Sequence, residues 1–259
     1  MKRLVYSVWD SLTESHMSAD DYKQEQFRKH YDELVKVKKE YADLCKADYQ
    51  VFEAGCGKYQ DIQFSKIDRF CEVAEEYDEI LYLDLDVIPN TDEIIFDRFD
   101  LSKMCMHFKV PSHVPTQKEL RYMFKDNREW SYMNSWIKVL IKKSMLALDN
   151  INGSDLYGNT GVMVSSSEAV KGLREKMENA HRIYEEAYED NFHPDSILKA
   201  WTKNNEVFIS YILEKESYNE IGQAWNYILD DKVTKYTPAA HFIHQVNKNF
   251  EDTFNAMGR

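Results

Sequence analysis

The chain has 259 residues, 43% of them hydrophobic and 14% aromatic, which suits one α/β domain with a substantial core. Its formal charge of -12 argues against nucleic acid as a partner, because phosphate binding rests on Lys and Arg. No apolar run approaches the roughly 18 residues of a membrane span, and Met1-Lys2-Arg3 leads into a short apolar stretch rather than a signal peptide, so the expected setting is cytoplasmic.

Leu4 to Trp9 reads as a first strand, followed by the polar loop Asp10 to Ser15. Asp20 or Asp21 is placed to cap a helix running to about Lys46, with Tyr22, Phe27, Tyr31, Leu34, Val37, Tyr41 and Leu44 spaced as a packing stripe. Lys36, Lys38 and Lys39 fall on the remainder of that helix and read as a solvated face. Tyr49 to Phe52 is a second strand, and Asp61 to Tyr77 is helical, with Ile62, Phe64, Ile67, Phe70, Val73 and Ala74 on its buried side. Cys45, Cys56, Cys71 and Cys105 are scattered, without C-x-x-C or zinc spacing, as expected of reduced thiols.

The segment Glu79 to Pro89, EILYLDLDVIP, carries the chemistry. Ile80 to Leu83 form a short apolar run of the kind that makes a buried strand. Asp84 and Asp86 end it. Two residues apart in an extended chain, they leave the same face with alpha carbons about 6.6 Å apart, while Leu85 points into the core. Adjacent carboxylates at a strand end repel unless a cation or donors lie between them, and a hard divalent ion is the simplest partner. An open α/β sheet places its ligands there, outside the carboxyl ends of its strands.

Tyr82-Leu83-Asp84-Leu85-Asp86-Val87-Ile88 resembles the D-x-D segment of nucleotide-sugar-dependent glycosyltransferases of the GT-A fold, especially those related to glycogenin and the bacterial lipopolysaccharide galactosyltransferases. The resemblance implies a manganese or magnesium ion that grips the diphosphate of a nucleotide sugar, with Asp84, Leu85 and Asp86 against the donor. It also implies that Ser7, Val8 and Trp9 hold the nucleoside and that Lys66 reaches the donor.

Beyond the acidic segment, Thr91 to Leu101 reads as loop and short helix, and Met104 to Val110 as a strand ended by Pro111 and Pro115. Gln117 to Asp149 is helical in pattern and rich in bulky groups, in the region where transferases of this type vary with their acceptors. Asn159-Thr160-Gly161-Val162-Met163 is similar to the family's N-A-G-V-M segment, which lines the donor-sugar side of the pocket; glycine allows close backbone approach and the amide offers donor and acceptor. Ser165 to Glu168 is expected to start a long helix reaching about Tyr188. Asn205-Glu206 opens another helix and resembles the family's D-Q or D-E pair facing the sugar, with Asn205 departing from aspartate; Gln223 to Tyr227 resembles its W-N segment. In the tail Ala240-His241-Phe242-Ile243-His244-Gln245-Val246-Asn247-Lys248, the resemblance implies a histidine that completes the metal site and a lysine on the diphosphate. His244 has the apolar lead-in, His241 the more family-like spacing to Lys248, and the family's glycine is absent.

The expected fold is therefore a GT-A type, Rossmann-like mixed sheet flanked by helices with a helical acceptor-side lobe. Residues 1–110 form the nucleotide-binding half of a single domain and residues 111–259 the acceptor-side, metal-completing half. The expected activity is metal-dependent transfer of a sugar from a nucleoside diphosphate sugar, a UDP-sugar in the first instance, to a carbohydrate or other hydroxyl acceptor, with retention. Glu206, Asp155 and Asn159 are the catalytic-side candidates, and the oligomeric state is open. Two other readings stand beside it. Glu53-Ala54-Gly55-Cys56-Gly57 resembles the first motif of adenosylmethionine-dependent methyltransferases, although Lys58-Tyr59 replaces the third glycine; a non-catalytic α/β module binding metal or nucleotide is the third reading.

Overall fold

The computed structural model describes residues 1–10, 21–54, 59–111, 134–189, 204–230 and 235–259. In chain order the elements are β1 (Arg3–Trp9), α1 (Asp21–Leu44), β2 (Asp48–Glu53), α2 (Tyr59–Val73), β3 (Glu79–Leu83), β4 (Val87–Pro89), β5 (Cys105–Lys109), α3 (Asn134–Leu148), β6 (Tyr157–Ser166), α4 (Ser167–Val170), α5 (Leu173–Glu189), α6 (Asn205–Glu216), β7 (Asn219–Glu220), β8 (Tyr227–Leu229), β9 (Phe242–Gln245) and α7 (Phe250–Met257). Short 3-10 turns occupy Ile95–Asp97 and Gln223–Asn226. The chain divides into two units, one of Met1–His107, Thr160–Lys171 and Asn219–Arg259, the other of Phe108–Asn159 and Gly172–Tyr218.

The first unit is built on a sheet in the order β2-β1-β3-β6-β5-β7. β1 runs parallel to both β2 and β3, and β6 runs antiparallel to β3, with Leu83 opposite Val162. Leu4 to Val8 are buried on both sides of β1, as its unbroken apolar run requires of a central strand. A smaller sheet, β4-β9-β8, continues from the end of β3: β4 is antiparallel to β9 and β8 parallel to it. One core cluster gathers Val5, Leu81, Leu83, Val162, Val164 and Phe242; a second gathers Leu34, Val37, Leu85, Ile88, Ile243 and Phe250. α1 supplies Leu34, Val37 and Tyr41 to these cores as its spacing predicts, whereas Tyr22 and Leu44 at its two ends are exposed.

In the second unit α3, α5 and α6 pack on one another. α6 is buried over most of its surface, from Val207 to Leu213, and Phe208 meets His181 at 4.3 Å and Tyr184 at 5.4 Å between ring centroids. Of the expected helix over Gln117 to Asp149, the part from Asn134 onward is α3, and residues 117–133 lie outside the described residues.

The helix expected from Ser165 starts later and is interrupted. β6 keeps Ser165 and Ser166 because their neighbours Val162 to Val164 are β-formers paired along β3. The Ser166 hydroxyl then caps α4 by accepting from the Ala169 amide at 3.3 Å. Lys171 leaves helical geometry, and Gly172 at φ +76° makes the break that separates α4 from α5.

Candidate metal centre

Asp84 sits immediately beyond β3 and Asp86 immediately before β4, with Leu85 between them buried in the core. The turn is held by the backbone. The Asp84 amide donates to the Gly161 carbonyl at 2.8 Å, the Val87 amide to the Asp84 carbonyl at 2.9 Å, and the Gln245 amide to the Asp86 carbonyl at 2.9 Å. β9 thus docks against the acidic turn, and its register puts His244 opposite Val87, the residue after Asp86.

His244 Nε2 lies 3.4 Å from Asp86 Oδ2 and 4.0 Å from Asp84 Oδ2. One ligand atom from each of the three residues falls within 4.8 Å of the other two. His244 Nδ1 is 3.1 Å from Asn226 Oδ1; with the amide oxygen accepting, Nδ1 carries a proton and Nε2 is the ring atom turned to the carboxylates. Two hard oxygens and one imidazole nitrogen form a donor set suited to manganese or magnesium.

The two histidines of the tail are thereby distinguished. His241 precedes β9, its Nδ1 lies 2.9 Å from Thr91 Oγ1, and its ring stacks on Trp225 at 4.3 Å. Its backbone is bonded to Asn90 and Ala224. Three residues of extended chain, about 10 Å, separate it from the position facing Asp86.

Three lysines surround the acids. Lys66 on α2 is buried, with Nζ 3.1 Å from Asp84 Oδ1 and 3.3 Å from the Thr160 carbonyl. Lys248 Nζ pairs with Asp86 Oδ2, and Lys248 itself adopts φ +60°, so the chain makes here, with a lysine, the left-handed turn that glycine would make without strain. Burial by itself raises the Asp86 carboxyl, yet Lys248 and His244 beside it hold it well below the usual carboxylate range. The third lysine was not visible in the sequence as part of the site. Lys38, expected on a solvated face, is fully buried and donates to the Leu85 carbonyl at 2.7 Å and the Leu34 carbonyl at 3.4 Å. Burial pushes it down to about 7, against the pull of Asp86 and Asp84.

Tyr82 is a further residue that the pattern hid, since in the sequence it is one more apolar member of β3. Its hydroxyl donates to Asp84 Oδ1, and burial together with Asp84 holds that phenol well above its ordinary value, so it stays a donor. Tyr6 OH in turn donates to the Lys66 carbonyl at 2.7 Å.

The remaining candidates divide. Ser7 is fully buried and spends its hydroxyl on the Leu83 carbonyl at 2.7 Å, between β1 and β3, and Val8 is core. Trp9 packs on Phe27 and Tyr31 at centroid distances of 5.3 and 5.6 Å. Thr160 and Gly161 meet the site through their carbonyls, on Lys66 and the Asp84 amide. In the second unit, Asn159 Nδ2 donates to Glu206 Oε1 at 3.2 Å, and Lys138 pairs with Glu206 Oε2. Asp155 is exposed and pairs with Lys143. Of the methyltransferase-like segment, Gly55, Cys56 and Gly57 lie outside the described residues.

No family profile and no characterised protein matches the sequence. Solved structures do match the fold. A glycosyltransferase involved in glycosylation of the major capsid of PBCV-1 is similar with a TM-score of 0.51 and 12% identity, over 100% of this chain and 99% of that one. The galactosyltransferase LgtC, in complex with donor and acceptor sugar analogues, is similar with a TM-score of 0.50 and 11% identity, over 98% of this chain and 94% of that one. The chain has the GT-A fold. At these identities the likeness speaks to architecture, and within that architecture the D-x-D turn stands at the carboxyl end of β3, where an α/β sheet binds its ligands.

Proposed function

We propose that the chain is a metal-dependent glycosyltransferase that moves a sugar from a nucleoside diphosphate sugar, a UDP-sugar in our reading, to a carbohydrate or other hydroxyl acceptor. The observation that carries this reading is the convergence of Asp84, Asp86 and His244 from two distant parts of the chain, with Lys66 and Lys248 beside them. Structural relatives that are glycosyltransferases support it.

In this reading Asp84, Asp86 and His244 hold Mn2+ or Mg2+. When bound, that ion supplies Lewis-acid polarisation of the leaving diphosphate. Lys248 and Lys66 offset the negative charge that grows on the diphosphate as its bond to the anomeric carbon breaks. Each ammonium is held in the structure by a carboxylate and a carbonyl, and in this reading it passes from the carboxylate to the diphosphate when cation and donor arrive. The bond from the anomeric carbon to the diphosphate oxygen breaks, a bond to the acceptor oxygen forms, and the acceptor's proton passes to the departing diphosphate.

On the resemblance of their segments alone, Asn159 and Glu206 are proposed for the sugar side; within their own unit Asn159 donates to Glu206 and Lys138 pairs with it. Retention at the anomeric centre is part of the proposal. A panel of nucleotide sugars assayed for Mn2+-dependent transfer and hydrolysis tests it: wild type is expected to turn over at least one donor and Asp86→Ala none. Equal activity of the two proteins removes the reading, and proton NMR of the fresh product decides the stereochemistry.

A further inference from the structure

Lys38 is an anomaly of α1. On its helix Lys36 and Lys39 are exposed, as a charged face should be, but Lys38 points inward and has no exposed surface. The hydrogen bonds that place its ammonium go to main-chain oxygens, the Leu34 carbonyl one turn back on its own helix and the Leu85 carbonyl at 2.7 Å. Leu85 is the residue between the two aspartates. Its carbonyl belongs to the peptide whose amide is that of Asp86, so whatever fixes this carbonyl fixes the peptide plane from which the Asp86 side chain departs. The opposite flank of the turn is already fixed by Gly161 on the Asp84 amide and by Gln245 on the Asp86 carbonyl. Lys38 closes the remaining side.

A neutral residue would suffice for packing here. Leu34, Val37, Leu85 and Ile88 already form an apolar cluster around this position, and burial of an ammonium in such surroundings works against stability. A charge kept in that place is explained by what it does for the turn. It gives the Leu85 carbonyl a donor and, while protonated, sets a positive charge behind a pair of carboxylates that would otherwise repel each other.

We propose that Lys38 is a positioning residue for the metal centre: from behind the D-x-D turn it orders the Leu85 peptide so that Asp84 and Asp86 present their oxygens together to a divalent cation. This rests on the metal reading of Asp84, Asp86 and His244 given above. Two effects of opposite sign meet in it. Removing the ammonium leaves the Leu85 carbonyl buried without a donor, and the turn relaxes to find one; removing a positive charge near the acids strengthens their attraction for a cation. We take the first to dominate, because outer-shell partners that orient ligands change metal affinity by about 10- to 100-fold, whereas Lys66 and Lys248 stand closer to the acids and remain.

The experiment is a titration of Mn2+ into wild type, Lys38→Met, Lys38→Arg and Asp86→Ala, read by the EPR signal of free Mn2+, beside thermal unfolding of each protein in EDTA. The expected result is that Asp86→Ala does not bind, that Lys38→Met binds about ten-fold or more weakly, and that Lys38→Arg recovers most of the loss, while the unfolding temperature of Lys38→Met in EDTA is no lower than that of wild type. A merely structural lysine would give the reverse, a lower unfolding temperature with the Mn2+ affinity of the folded protein unchanged. Lys38→Met that binds Mn2+ as tightly as wild type, or more tightly, overturns the inference and leaves the metal reading standing. Wild type that does not bind Mn2+ overturns both. Should Lys38→Met fail to fold, Lys38→Gln, with a shorter neutral donor, is read in its place against the same two outcomes.

Discussion

His244 Nε2 lies 3.4 Å from Asp86 Oδ2, although the two residues lie far apart along the chain. The antiparallel register of β4 on β9 produces this meeting, because His244 faces Val87 while His241 falls beyond the paired residues. His244→Ala is therefore expected to lose Mn2+ binding by at least the 10- to 100-fold of a removed metal contact or its support. His241→Ala, which removes a ring stacked on Trp225, is expected to lower the unfolding temperature and keep the affinity. Calorimetric titration of the two variants with Mn2+ separates them; equal losses would remove the assignment.

Asn226 is the next residue to test, since its amide oxygen faces His244 Nδ1 at 3.1 Å in a fully buried position. Asn226→Asp retains an acceptor there and should retain Mn2+ binding. Asn226→Leu offers none, so the imidazole is free to turn or to change tautomer, and the affinity should fall about ten-fold. Mn2+ titration monitored by water-proton relaxation gives both values.

These two residues also show what the sequence could reveal. The apolar run of β3, its acidic end and the strand near the carboxyl terminus are local patterns, and they place Asp84, Asp86 and a histidine in the site. The choice between His241 and His244 is a matter of strand register, which depends on which residues of β4 and β9 pair and leaves no trace in either segment alone. Tyr82 and Lys38 were hidden for a different reason. A tyrosine in an apolar strand and a lysine on an amphipathic helix look like core and surface, and only packing shows that the phenol reaches Asp84 and the ammonium reaches Leu85. Ser7 went the other way: at the expected strand, it uses its hydroxyl within the sheet.

Lys248 should affect cation and nucleotide with opposite signs. Its ammonium pairs with Asp86, so a cation arriving alone must displace it. A charge-assisted bond worth about 1.5 kcal/mol corresponds to roughly a ten-fold change in an equilibrium constant. Lys248→Ala is expected to bind Mn2+ alone up to that factor more tightly and UDP in the presence of Mn2+ more weakly, because the charge proposed to face the diphosphate is gone. Calorimetry with Mn2+ and then with UDP reads both; a loss in each would mean that Lys248 acts by holding the turn.

In the second unit Lys138 and Glu206 form a largely buried ion pair, and Asn159 donates to the same carboxylate. Truncating Glu206 to Ala leaves an ammonium and an amide short of an acceptor, a loss of about 1 to 3 kcal/mol in unfolding free energy. Lys138→Ala together with Glu206→Ala should be less damaging than the sum of the single changes, as contacting residues are not additive. Urea unfolding of the two single variants and the double variant closes the cycle, and strict additivity would show that the pair is energetically idle.

The buried Lys38 makes a prediction about pH whose sign is fixed. In the folded chain it is pushed down to about 7 from the ordinary 10.5, by burial opposed by Asp86 and Asp84. Between those two values the unfolded chain holds a proton on this lysine that the folded chain has released, so the unfolded state binds more protons and stability rises with pH. Below about 7 both states are protonated and the contribution is flat, with the folded state bearing the full penalty of a buried charge. Lys38→Met removes the group from both states. Wild type minus Lys38→Met should therefore show a difference in unfolding free energy that grows in favour of wild type from pH 7 toward pH 10, measured by urea unfolding in EDTA so that no cation contributes. A difference that stays flat across this window would mean that the ammonium keeps its proton inside the fold, with the two aspartates outweighing the burial.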